Sequence, residues 1–109
     1  MAFTYKVLGQ LAPSATTATT LYTVPAATQS IISTITIANR AATTATYRIA
    51  IRPLGATLAN QHYIAYDVLV GANDTTPLTL GISLGATDVV TVYASTANLS
   101  FGIFGTEIT

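Results

Sequence analysis

Apolar side chains recur at every second residue along much of this chain, most plainly from Gln29 to Arg52, QSIISTITIANRAATTATYRIAIR. Ile31, Ile35 and Ile37 share one parity, as do Tyr47, Ile49 and Ile51, while Thr34, Thr36, Thr46, Arg48 and Arg52 hold the other. A two-residue period is that of a pleated strand with one face in a core. It predicts two strands paired as a hairpin. Their connection, Asn39 to Ala45, is small or polar and has no glycine, so it is a loop and not a tight primed turn. The isoleucine face must then hold the register, because a slip of one residue would turn those side chains to water.

The same alternation places the other elements. Phe3, Tyr5 and Val7 alternate with Thr4 and Lys6 in an opening strand that Gly9 is expected to end. LAPSATTATT is a connection, since Pro13 bars a central strand, and Leu21 to Val24 is extended up to a kink at Pro25. Pro53 and Gly55 close the central pair, and GATLANQ is the one place that would suit a short helical turn. Ile64, Tyr66, Val68 and Val70 then alternate with Tyr63, Ala65, Asp67 and Leu69, the second set facing outward. GANDTTP is a turn in which Asn73 and Asp74 bond their own backbone and Pro77 delimits the next element. Leu78, Leu80 and Ile82 make a short strand, Val90, Val92 and Ala94 another, and Leu99, Phe101 and Ile103 the last. Gly102 and Gly105, either side of Phe104, are expected bulge positions. Seven or eight strands at this spacing predict an all-β fold, an antiparallel β-sandwich of jelly-roll or Ig-like type, as a single domain over residues 1–109.

Composition changes this picture in one respect. A chain of 109 residues can bury roughly two-thirds of its unfolded surface, so a core without staples is feasible. None is available, for there is no cysteine to form a disulfide or a thiolate metal site. Charged residues make up only 7% of the chain, against roughly 25% in ordinary soluble domains, and threonine and alanine stand in their places. So neutral a surface is poorly protected against association. The expectation is a homo-oligomer whose surface is largely covered by neighbouring subunits. Mean hydropathy is +0.55, yet no apolar run nears the roughly 18 residues of a spanning helix. The opening MAFTYKVLG shows no basic stretch, apolar region and cleavage site in order, so an exported barrel has no visible route out and no membrane partner is expected.

Chemistry finds little to work with. The only base for a serine triad is His62, read as a partly exposed residue at a strand entrance, and no serine lies in a G-x-S-x-G elbow. The carboxylates are Asp67, Asp74, Asp88 and Glu107, three of them at turns or strand ends where they would serve backbone donors. Zinc would want more than one histidine, and a calcium loop more oxygens than Asn73 and Asp74 supply, so no metal or other cofactor is expected. Lys6, Arg40, Arg48 and Arg52 are the whole positive charge and are matched by the four acids, which argues against a nucleic-acid partner. Arg48 and Arg52 share a face roughly 13 Å apart and could meet a partner, although pairing within the chain, for instance with Asp67, is the commoner use of such residues. Tyr63 and Tyr93, on outward parities, are the rings on which a sugar could stack.

Three segments, LYTVPAATQSIISTITIANR, TYRIAIRPLG and TDVVTVYASTANLSFGIFGTEIT, resemble a small virion structural module of tailed bacteriophages, especially those of cyanobacteria. The resemblance covers nearly the whole chain from Tyr5 onward and carries no catalytic signature. It implies a non-enzymatic β-rich piece of the virion, with other virion proteins as partners: the major capsid protein, or tail and fibre subunits. A free-standing chain of this kind suits a capsid cement or decoration subunit. The alternative is a tail, baseplate or fibre component that binds a host-receptor glycan.

Overall fold

The computed structural model describes residues 1–109 as nine strands in two antiparallel sheets, with no α-helix. The strands are β1 (Phe3–Leu11), β2 (Thr19–Thr23), β3 (Gln29–Asn39), β4 (Ala45–Arg52), β5 (Tyr63–Val70), β6 (Thr75–Leu78), β7 (Ile82–Leu84), β8 (Val89–Ala94) and β9 (Leu99–Ile108). Sheet one runs β1-β9-β3-β6, with β7 also on β3, and sheet two runs β2-β8-β4-β5. With β6 and β7 taken as one interrupted strand, the chain passes from sheet to sheet in the order of a jelly roll, two Greek keys folded over one core.

The core is what the alternation encodes. Ile35, Ile37, Leu99 and Ile103 from sheet one meet Tyr47, Ile49, Val90 and Val92 from sheet two, all buried. Burial of each such side chain stabilises by roughly 1.5–3 kcal/mol relative to exposure. The ring of Tyr47 meets Phe101 edge-on across the layer, with centroids 6.4 Å apart.

β3 and β4 are not a hairpin. β3 bonds to β9 on one side and to β6 and β7 on the other, while β4 lies between β8 and β5. Their isoleucine faces oppose each other across the core instead of standing side by side, and Arg40–Thr44 carries the chain from one layer to the other. A five-residue link without glycine fits that crossover better than a tight turn. Asn39 is buried at its start, where Nδ2 donates to the carbonyls of Thr43 and Gly71 at 2.7 and 3.2 Å.

Bulges account for the remaining departures. In β3 the register shifts between Ile32 and Thr34, so Ser30 and Ile32 point inward with Ile35 and Ile37, and Ile31 points out. The expected bulge near Phe104 therefore sits on the partner strand, at Ser33, whose hydroxyl donates to the Phe104 carbonyl at 3.1 Å. Gly105 accommodates it, because a Cβ there would overlap the Ile31 carbonyl oxygen. On the other side of β3 the same dislocation breaks the edge strand. β6 stops at Leu78 opposite Ile35 and β7 starts at Ile82 opposite Ile32, so the expected single strand through Leu80 does not form and Leu80 is exposed. Pro77 lies inside β6, on the edge where a missing donor is harmless. In β1 a bulge between Val7 and Gly9 lets the strand continue to Leu11 where an ending at Gly9 was expected. In β5 the register shifts between Ala65 and Val68, with Asp67 at φ 51°, and this reverses the expected facing of Ile64 and Tyr66, which are exposed. Where one short helical turn was expected within GATLANQ, two 3-10 turns form at its ends, Pro53–Gly55 and Asn60–His62.

Candidate functional site

Two surfaces and one interior cluster concentrate the polar and aromatic groups. The first is the outer face of sheet two. Arg48, half-buried on β4, donates from Nε to Asp67 Oδ1 at 2.7 Å and from Nη2 to Oδ2 at 3.2 Å, a bidentate pair with a residue of the neighbouring strand. Its guanidinium carbon lies 4.1 Å from the ring centre of Tyr66 and 4.3 Å from that of Tyr93. The cation is thus held by two aromatic rings and one carboxylate. The Arg48 hydrogen bond pulls the Asp67 carboxyl below the ordinary carboxylate range, and the same bond raises the arginine further. Tyr63 completes the group, its ring 4.9 Å from that of Tyr66 and nearly perpendicular to it.

Of the four residues singled out in the sequence, Arg48, Tyr63 and Tyr93 come together here. Arg52 shares the face but turns to the loop beyond β4, where Nη1 donates to the Ala56 carbonyl at 3.3 Å. Pairing of Arg48 with Asp67 is observed as expected. The sequence missed Tyr66, which the Asp67 bulge moves from the inner to the outer face. The available signal was weak: aspartate tolerates the left-handed backbone that such a bulge requires.

The interior cluster lies between the sheets at one end. The phenol of Tyr22 donates to Glu107 Oε2 at 2.6 Å, and its oxygen lies 2.7 Å from Ser30 Oγ. A phenol has one proton, so with that proton on the glutamate bond, Ser30 is the donor of the second. Lys6 Nζ reaches Glu107 Oε1 at 3.2 Å. Burial and the glutamate bond push the Tyr22 phenol from 10.0 up to about 12, while the Tyr22 hydrogen bond, helped by Lys6, holds Glu107 below its ordinary range. Both oxygens of Glu107 are engaged, and the cluster joins the two layers.

Two carboxylates serve backbone amides at turns where three were expected to, Glu107 being engaged by side chains instead. Asp88 accepts from the amides of Leu54 and Gly85 at 2.9 and 2.8 Å, and Asp74 from the amide of Thr75 at 2.8 Å. His62 is buried where partial exposure was expected, because its Nδ1 accepts from the Ala59 amide at 3.0 Å and draws the ring under the turn.

The second surface is the outer face of sheet one. On β1 the apolar parity of the opening strand points to solvent: Phe3 is 56% exposed, Tyr5 79% and Val7 49%. Across β9 these residues align with Ile108, Thr106 and Phe104, and beyond them on β3 with Gln29, Ile31 and Thr34. The pairing puts Lys6 and Glu107 on the opposite parity, so the face is uncharged. Comparison of the chain with family models, with curated proteins and with solved structures returned no match.

Proposed function

We propose that this chain is a non-enzymatic structural subunit of a bacteriophage virion, a capsid cement or decoration protein that strengthens the particle by packing among its neighbours. The observation that carries the reading is the outer face of sheet one, a broad uncharged surface with Phe3, Tyr5, Val7 and Ile31 exposed on it. The largest apolar patch on a protein surface is often the one that meets a partner. The jelly-roll wiring adds support by fold-level analogy, since viral capsid domains use it, and the bacteriophage assignment rests on the resemblance of the sequence. The side chains that chemistry would draw on are committed elsewhere: His62 to its own turn, Asp88 and Asp74 to backbone amides, Glu107 to Tyr22 and Lys6.

The mechanism is multivalent. Each copy contributes a modest contact, and shell geometry makes each further contact effectively intramolecular. A glycan-binding role at the tail or fibre is weaker on the geometry, because of the two rings expected to stack a sugar Tyr93 already carries the Arg48 guanidinium over a face and Tyr63 packs perpendicular to Tyr66. Particles stripped of the protein should lose thermal or mechanical stability and regain it when the protein is added back. Unchanged stability would remove the cement role, and labelled antibody at tail tips together with hits on a glycan array would favour the receptor-binding role.

A further inference from the structure

We infer that the uncharged face of sheet one is a two-fold interface covered by a second copy of this chain, the bulky end of each face seated on the hollow end of the other. The inference deepens the reading of a subunit that works among its own copies and rests on it, but it concerns the free chain.

The relief of the face runs from one end to the other. At one end Phe3, Tyr5 and Ile31 stand out from the sheet, all of them exposed. At the other lies an open depression lined by Gln10, Thr36, Ala38, Ser100 and Gly102, with the Phe104 ring as its wall. The hollow depends on residue 102 having no side chain, since a Cβ there would come within 2.9 Å of both the Phe104 ring and Thr36 Oγ1.

The strand register fixes how the two ends relate. Tyr5 and Ile31 lie level with Thr106, and Gln10 and Thr36 lie level with Gly102. These levels are two residues on either side of Phe104, about 13 Å apart at roughly 3.3 Å per residue. A two-fold axis running across the strands at the level of Phe104, between two such faces, exchanges them. It sets Tyr5 and Ile31 of each copy over Gln10 and Thr36 of the other, and the contact closes on itself as an isologous interface must. Stacking with the strands of both copies pointing the same way would set bulk on bulk.

Size and charge favour the same occupant. Phe3, Tyr5, Val7 and Ile31 expose roughly 400 Å² of mainly apolar surface between them. The whole face, four strands at about 4.8 Å spacing and about 30 Å long, projects to roughly 600 Å² per partner, the lower end of the range for standard interfaces. All eight charged side chains lie elsewhere: Lys6 and Glu107 on the inner parity, Arg48, Arg52 and Asp67 on sheet two, and Arg40, Asp74 and Asp88 outside the strands. A nucleic acid or a strongly charged partner has nothing to hold here, whereas an identical uncharged face is a match.

Sedimentation of the purified chain tests this. The wild type should be a dimer, and Tyr5→Lys should weaken the dimer roughly tenfold or more, as loss of a buried aromatic contact does. Tyr5 is so exposed that the variant should fold, which its circular dichroism verifies. Gln10→Glu should also weaken association, while Tyr5→Lys with Gln10→Glu in one chain should restore it in a salt-sensitive form, because the two-fold sets each new lysine against the partner's new glutamate. Leu69→Lys, on the outer face of sheet two, should change nothing. A wild type that stays monomeric at high concentration, or a dimer indifferent to Tyr5→Lys, overturns the interface, and failure of the double variant to re-associate overturns the end-exchanged geometry. A dimer with these properties that leaves virion stability unchanged would uphold this inference while removing the cement role.

Discussion

The Tyr22 phenol on sheet two donates a 2.6 Å hydrogen bond to Glu107 on sheet one, and so ties the two layers by a polar contact at an end of an otherwise apolar sandwich. Replacing the phenol removes a bond to a charged acceptor and leaves buried Ser30 without its partner. Tyr22→Phe should therefore lower stability by about 2 kcal/mol, the scale for losing a hydrogen bond to an ionised group. Urea unfolding of the two proteins, compared at equal slope, checks it.

The same pair predicts how stability depends on pH. Glu107 is held below 4.5 in the folded chain and Asp67 below 3.8, so both favour the folded state above those values, and that contribution is lost as pH falls through the lower folded values. Tyr22 is raised from 10.0 to about 12, so its contribution is complete below pH 10 and is lost as pH rises toward 12. Unfolding midpoints measured across pH should decline at both ends. In Tyr22→Phe the decline between 10 and 12 should shrink.

Arg48→Lys keeps the charge and discards the planar fork. An ammonium cannot make the bidentate bond to Asp67 while lying flat between Tyr66 and Tyr93. The variant should stay folded with a modestly lower melting temperature, and near-ultraviolet circular dichroism should show weaker tyrosine bands as the rings loosen. Unaltered bands would mean that the arginine does not order them.

Gly105→Ala sets a methyl group against the backbone of the β3 bulge, where Ile31 cannot give way without breaking the ladder. A loss of roughly 1–3 kcal/mol is expected, typical of overpacking a fitted site. Thermal unfolding reads it directly, and a neutral result would show that the bulge can relax.

The strands were legible in the sequence because a period of two survives any topology, and Ile35, Ile37, Ile49, Val90, Val92, Leu99 and Ile103 form the core that it marks. Pairing was less legible. Nothing local tells whether two successive strands lie side by side or face to face, so β3 and β4 read as a hairpin although they oppose each other across the layers. Facing fails in β3 and β5, where a bulge inserts one residue, and so Ile31 and Tyr66 read as inward although both are exposed. The Arg48–Asp67 pair was visible as two opposite charges on adjoining strands, but the aromatic clamp around it was half hidden by the turn of Tyr66. No local pattern marks Tyr22 and Glu107 as partners, for they stand far apart in the chain and on different sheets.

The placement of β9 between β1 and β3 bears on how the chain is made. Until residues 99–108 have left the ribosome, β1 and β3 lack the strand that joins them, and the isoleucines of β3 have only the short pieces β6 and β7 beside them. Completion of sheet one must wait for β9, as in other topologies dominated by distant pairings. The nascent chain meanwhile presents sticky, nearly uncharged strands to the cytosol, so yield in a heterologous host should depend on chaperone capacity and synthesis rate more than on the stability of the finished molecule.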